Sequence, residues 1–405
     1  MSEWKECRIA DAPFEIIDGD RGTNYPKQDE FNQNGYCLFL NAKNVTTDGF
    51  AFDECYFISK EKDEILRKGK LRRNDIVLTT RGTVGNIGFF NERIPYEHIR
   101  INSGMVIIRP DLEGILPEYT HQLFKYLKGD FDVFATGSAQ PQLPIRDLKE
   151  ISFSLPPLPE QRAIAGVLSS LDDKIDLLHR QNKTLEGMAE ALWRKMFVEE
   201  RNNSATACLN DYVSCINGVS YKSSELNPSK TALVTLKSFN RYGGFSVDGF
   251  KEFTGKHKVQ QIVLEGDLVV AHTDITQEAE VLGNPALIIS SPIYDTLVIS
   301  MDLVKVVPKM DWVSKEFLYF LMRSRKFKHH CLGCANGTTV LHLNKEAIPT
   351  FEFSIPDKSK EIEFTELAKD LIRQVFVKHR QIRTLSRLRD TLLPKLMSGE
   401  VRVKL

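Results

Sequence analysis

The chain has 405 residues, 42% of them apolar, with 54 basic and 54 acidic side chains and a formal net charge of zero. That length exceeds one ordinary core, so two or more domains are expected, and the composition is that of a folded chain. The charge balance excludes a uniformly basic nucleic-acid binder: a polyanionic partner would have to be met by local patches or through other subunits.

In chain order, the opening MSEWKECRIADAPFE lacks a basic region followed by an apolar stretch, which argues against a secretory leader. No apolar run approaches the length of about eighteen residues that a membrane-spanning helix needs. Seven scattered cysteines fit a reducing cytoplasm better than a disulfide framework. A first globular stretch, 1–158, carries an acidic turn leading into an apolar strand, RRNDIVLTTRG (72–82), and a short amphipathic helix, LPEYTHQLFKYL (116–127). It closes on LPPLPEQ, where Pro159 suits the first helical position and Glu160 and Gln161 the first turn.

A long helix is predicted within 159–205. Leu168, Leu171, Ile175, Leu178, Asn182, Leu185, Ala189, Leu192 and Met196 recur at alternating intervals of three and four, the heptad spacing of a coiled coil. Residues 160–198 as helix would span about 57 Å at about 1.5 Å per residue. A seam this long favours pairing with another helix over packing as ordinary core. Asn182 either fixes the register of that pairing at some cost in stability or lies partly exposed.

A second globular stretch, 206–357, repeats the plan with LEGDLVVAHTD (264–274) and WVSKEFLYFLMR (312–323). The closing stretch, 358–405, is predicted as a second long helix with Ala368, Leu371, Val375, Ile382, Leu385, Leu392 and Leu396 on its seam. Lys378 and Arg389 interrupt that seam, and Pro394 should end or kink the helix near its last turn.

The two halves form an internal repeat at a constant offset of 200. ATGSAQPQLPIRDLKEISFSLP (135–156) aligns with ANGTTVLHLNKEAIPTFEFSIP (335–356), matching Ala135, Gly137, Leu143, Phe153, Ser154 and Pro156 to Ala335, Gly337, Leu343, Phe353, Ser354 and Pro356. The register continues without a gap into HRQNKTLEGMAEALWRKMF (179–197) and HRQIRTLSRLRDTLLPKLM (379–397). The fold class expected is therefore α/β (α+β): two globular domains separated by two long antiparallel coiled-coil helices, in a pseudo-twofold repeat.

Catalytic constellations fail. GFKEFTGKH (249–257) has one residue too many for a phosphate-binding loop and His257 where Ser or Thr belongs. NPSK (227–230) and NPAL (284–287) do not match an adenine-methyltransferase loop, and no nuclease signature is completed after Pro110-Asp111 or Pro356-Asp357. HHCLGC (329–334) offers half a zinc site, but Phe131 and Phe134 stand at the repeat positions of Cys331 and Cys334, so packing is the better reading and no metal is expected. No catalytic residue is assigned.

A twofold-repeated protein with two different globular units suits duplex DNA, whose successive major grooves lie about 34–36 Å apart. Candidate readers are polar residues on glycine-flanked strands and loops: Asn41, Lys43, Arg81 and Arg100 in the first unit, and Lys237, Arg241, His272 and Gln277 in the second. Arg and Lys suit guanine edges; Asn and Gln suit adenine edges.

LPPLPEQRAIAGVLSSLDDKID, the ending LRDTLLPKLMSGEV (388–401) and the two-half plan resemble the specificity subunit of type I restriction-modification systems across essentially the whole chain. The resemblance implies that 1–158 and 206–357 are target-recognition domains, each reading one part of a split, asymmetric site. It implies that the helices within 159–205 and 358–405 act as an antiparallel spacer. It further implies a non-catalytic, cytoplasmic subunit that binds double-stranded DNA, two modification subunits and restriction subunits. Those partners would use S-adenosylmethionine for adenine-N6 methylation, and ATP and Mg²⁺. DKSKEIEF replaces the LPEQR block in the second copy, which puts equal docking of both helices in doubt. Two alternatives stay open, a non-catalytic two-domain protein-interaction scaffold and a specificity subunit of a related restriction system.

Overall fold

The computed structural model describes residues 4–137, 141–199, 205–239, 244–276, 278–338 and 340–404. By its internal contacts the chain forms two compact units, Met1–Asp176 with Arg383–Leu405, and Leu177–Ile382. Each unit takes part of each long helix, so this division cuts across the four consecutive segments read from the sequence.

The first unit is built on an antiparallel sheet of Phe14–Asp18, Met105–Pro110, Ile76–Thr79 and Ile87–Phe89, in that spatial order. Its central strands are rich in β-branched residues and buried on both faces, because something covers each side. Alternation sends Ile76, Leu78, Val106 and Ile108 beneath the helix Pro117–Tyr126, where Tyr119, Leu123 and Phe124 meet them. Val77, Met105 and Ile107 face a second core with Leu38 and Ile99 from a three-stranded sheet and Leu40 just beyond it. Lys5–Arg8 pairs with Ser152–Leu155 just before the first long helix begins.

The second unit repeats this plan. Val213–Asn217, Leu303–Pro308, Leu268–Ala271 and Pro285–Leu287 take the same order, and Thr206–Cys208 pairs with Glu352–Ser354. Leu268, Val270, Val304 and Val306 pack with Phe317 and Leu318 of the helix Lys315–Arg323, while Val269 and Ala271 face Ala232, Val234 and Ile299. The halves that match only in outline as sequence share the strand order of their main sheets, while the smaller sheets beside them differ in strand number.

The long helices run Leu158–Arg194, followed by a π-helical turn Lys195–Glu199, and Lys358–Met397. Pro394 falls inside the last turn, and the helix continues for three further residues. In the first unit Ile164, Ala165 and Leu168 share a core with Leu396 and Met397; in the second, Ala189 and Trp193 share one with Phe364, Ala368 and Ile372. The start of each helix thus packs beside the end of the other, so they run in opposite directions. Leu168, Ile175, Leu178, Asn182, Ala189, Ala368, Val375, Ile382 and Leu396 are buried, and Leu171, Leu185, Leu192, Leu371, Leu385 and Leu392 are half-buried. Arg389, which breaks the apolar pattern, sits 3.1 Å from Asp172. Burial alone would raise the Asp172 carboxyl, but Lys125, Gln122 and Arg389 outweigh it and hold it below the usual carboxylate range.

Gln161 is 1% exposed; its carbonyl accepts from Leu116 N at 2.9 Å, and its amide donates to Gly114 O and Pro156 O. Leu116 is the N-cap of the covering helix, so Gln161 satisfies a donor that the helix itself cannot. At the same repeat position Glu361, also 1% exposed, accepts from Ser314 N at 2.9 Å and from Thr365 Oγ1. Ser314 caps the corresponding helix.

Two stability measurements follow. Gln161→Ala orphans one buried N–H and two carbonyls and should cost about 2–4 kcal/mol in urea denaturation. Asn182 is 5% exposed and neither side-chain polar atom has a hydrogen-bond partner among the described residues. Asn182→Leu should therefore raise stability by about 1–2 kcal/mol in the same assay.

Candidate nucleic-acid interface

The sequence-predicted readers divide by what the fold does with them. Asn41 closes a 3-10 turn, Ala42–Asn44, by accepting from Lys43 N at 2.8 Å. Lys43 stands exposed on that turn, 2.9 Å from Glu54. The second unit has the same device: Thr235 caps the turn Leu236–Ser238, and Lys237 is exposed upon it. These two lysines occupy equivalent places.

Arg100 is placed in the interior. Its side chain is 5% exposed, forms an ion pair with Asp63 and donates to the carbonyls of Asp63, Leu66 and Lys68. A guanidinium so enclosed holds the fold together and is not available to a groove, which corrects its assignment as a reader. Burial would raise the Asp63 carboxyl, but bonds from Lys70 and Arg100 outweigh it and keep it below the usual range. Arg241 and Gln277 lie outside the described residues.

Arg81 and His272 lead into a shared feature. In the first unit Thr79 N bonds Asn86 O and Gly85 N bonds Thr79 O; in the second Ala271 N bonds Asn284 O and Gly283 N bonds Ala271 O. Gly85 and Gly283 have φ of 84° and 75°, which favours glycine there. A Cβ on Gly283 would meet Cys331 Sγ at 2.7 Å. Cys331, like Phe131 at the matching position, is fully buried, and burial pushes its thiol up to about 12. It is a packing residue. His330, its neighbour, is 2.8 Å from the Ala347 carbonyl.

Between these closures the segments differ in length, 80–85 against 272–283. Asp274, 1% exposed, organises the longer one by accepting from Thr276 N, Val281 N and Leu282 N. Lys328 Nζ donates to Ala279 O, Leu282 O and Asn284 Oδ1 from the other side.

Both segments then pair with a distant hairpin. Arg81 lies opposite Gln142, which lies opposite Thr136. Thr273 lies opposite His342, which lies opposite Asn336. Sequence reasoning missed Thr136, Gln142, Asn336 and His342. The signal was available, since all four are mismatches inside the aligned blocks ATGSAQPQL and ANGTTVLHL. His272 supplies backbone here, its carbonyl accepting from Leu343 N at 2.8 Å. Burial, together with His342 and Lys345, pushes its imidazole below the usual histidine range, so it is neutral at pH 7.

These features define a class: a twice-written α/β module on a pair of opposite-running helices, with a polar ribbon in each copy. Residues 1–187 match the sequence model described as the type I restriction modification DNA specificity domain. The specificity subunit of the type I restriction enzyme MjaIX from Methanocaldococcus jannaschii is 25% identical over 386 residues, covering 89% of this chain and 87% of the relative. The specificity subunit of the HindI enzyme from Haemophilus influenzae is 23% identical, covering 99% of this chain and 100% of the relative. The fold is similar to the crystal structure of a type I restriction-modification S subunit from M. genitalium, with a TM-score of 0.56, 14% identity, and 97% and 96% of the two chains covered. The first 187 residues thus match the type I DNA specificity domain, and nearly the whole chain is similar to type I restriction enzyme specificity subunits.

Substitution separates the buried reader from the exposed ones. Arg100→Met leaves Asp63 buried with only one of its two cationic partners and should cost about 3–5 kcal/mol in urea denaturation, whereas Lys43→Ala and Lys237→Ala should each cost under about 0.5 kcal/mol. Because the folded Asp63 carboxyl lies below its unfolded value, its contribution is full above about pH 4 and is lost as pH falls through the folded value. The gap between wild type and Arg100→Met should close over that acid range.

Proposed function

We propose that this chain, as the DNA specificity subunit of a type I restriction-modification complex, reads a bipartite, asymmetric site, one part with each unit. It directs modification subunits, which methylate adenine at N6 from S-adenosylmethionine, and restriction subunits, which use ATP and Mg²⁺, to that site. The chain itself is non-catalytic, as the specificity subunits it resembles are, and its DNA substrate puts it in the cytoplasm.

The observation that carries this reading is the repetition of one fold with different polar ribbons. Two copies of one frame, alike in the strand order of their main sheets and different in the side chains they present, suit two different half-sites. Zero net charge fits a subunit that binds DNA tightly only when its partners add phosphate contacts. A scaffold that binds only protein has no need of divergent ribbons on a repeated frame.

The test is to express the chain with a type I modification subunit and map N6-methyladenine across the host DNA. Methylation should be confined to one split, asymmetric motif and vanish when this chain is omitted. A co-purifying complex with an active partner and no motif would leave the scaffold reading ahead.

A further inference from the structure

In both units the ribbon places its central residue with one face inward and one outward. Leu143 and Leu343, 1% and 3% exposed, turn into the two main cores. Successive residues of a strand point to opposite faces, so Gln142 and His342 point away from the cores. Residues directly opposite on paired strands share a face, so Arg81 and Thr136 flank Gln142, and Thr273 and Asn336 flank His342. Thr273 is buried with its hydroxyl donated to Asp302 at 3.0 Å. The side chains of Arg81, Gln142, Asn336 and His342 have no hydrogen-bond partner among the described residues, and Thr136, Asn336 and His342 are exposed.

The residues that shape the ribbon are the same in both copies: Ala135 and Ala335, Gly137 and Gly337, Leu143 and Leu343. Those on its outer face differ, Arg, Thr and Gln against Thr, Asn and His. A frame held constant while its presented row changes is what two different half-sites require. The equivalent Lys43 and Lys237 cannot tell one half-site from another, which suits contact with phosphate.

We propose that each ribbon enters the major groove and reads base edges, through Arg81, Thr136 and Gln142 in the first unit and through Asn336 and His342 in the second. The major groove admits a narrow antiparallel ribbon, Arg matches the O6 and N7 of guanine, and Gln and Asn match the N6 and N7 of adenine. The first unit thus carries a guanine reader beside an adenine reader. This inference rests on the reading of the chain as a DNA specificity subunit.

The experiment compares methylation maps of the full chain with its modification partner for wild type, Gln142→Ala, His342→Ala and Lys43→Ala. Gln142→Ala should relax base preference in one half of the motif by roughly five- to a hundred-fold, the discrimination of one bidentate contact, and leave the other half intact. His342→Ala should relax the opposite half. Lys43→Ala should lower methylation evenly and leave the motif unchanged. Should Gln142→Ala abolish methylation, binding to singly mismatched duplexes decides: weakening confined to the cognate base pair supports the ribbon, and equal weakening on every duplex overturns it. A wild-type motif unmoved by both variants overturns the ribbon alone. A wild-type complex with an active partner and no motif overturns the parent reading and the ribbon with it.

Discussion

The structure depends on an apolar seam shared by two helices of opposite direction. In the first unit the core under the covering helix includes Ile164, Ala165 and Leu168 from the start of one helix and Leu396 and Met397 from the end of the other. The second unit uses Ala189 and Trp193 with Phe364, Ala368 and Ile372 in the same way. The first core is not complete without the distant end of the chain, whereas the second lies within the single stretch Leu177–Ile382, which includes the end of one helix and the start of the other. The closure is sealed at Glu160, which accepts from Trp4 Nε1 at 2.8 Å and pairs with Arg402 at 2.6 Å, while the Arg402 guanidinium lies 4.6 Å over the Trp4 ring.

The helix starts show how geometry outlasts sequence. DKSKEIEF does not resemble LPPLPEQR, yet Glu361 does for Ser314 what Gln161 does for Leu116. The swap of amide for carboxylate follows from the surroundings. Gln161 meets one N–H and two carbonyls, so it must donate as well as accept; Glu361 meets an N–H and a hydroxyl, so accepting is enough. A carboxylate at 161 would face two carbonyl oxygens without a proton to offer.

The helices and the two-unit plan were legible because heptad spacing and a gap-free repeat are one-dimensional patterns, whereas the opposite sense of the helices came with the family resemblance. The division of the chain was not, since it follows from which ends meet in space. Among the candidate readers, residue type was a poor guide: Arg100 looked like Arg81, but only the partners that folding brings, Asp63 and three carbonyls, distinguish a structural guanidinium from a presented one. Asn41 likewise caps a turn, Ala42–Asn44, a role that shows only in the structure. The ribbon residues escaped because Gln142 lies far in sequence from Arg81, and their significance shows only when the two copies are superposed on the pairing of strands.

The atoms that hold the ribbon in place are separate from the side chains it presents. The ribbon's backbone groups are taken by the ladder: Thr136 and Gln142 exchange both of their hydrogen bonds, and Leu143 N and Leu343 N reach Thr80 O and His272 O. The packing is done by Leu143 and Leu343 on the inner face. Arg81, Gln142, Asn336 and His342 have no side-chain hydrogen bonds to lose among the described residues, and substitution to other polar residues there costs little stability, since surface changes away from special features stay within about 0.5 kcal/mol. Length can vary as well, because the Gly85–Asn86 and Gly283–Asn284 closures hold segments of different size on the same two strands. A module with these properties can change what it presents without changing how it folds, and two such modules can diverge while the helices that complete their cores stay in register.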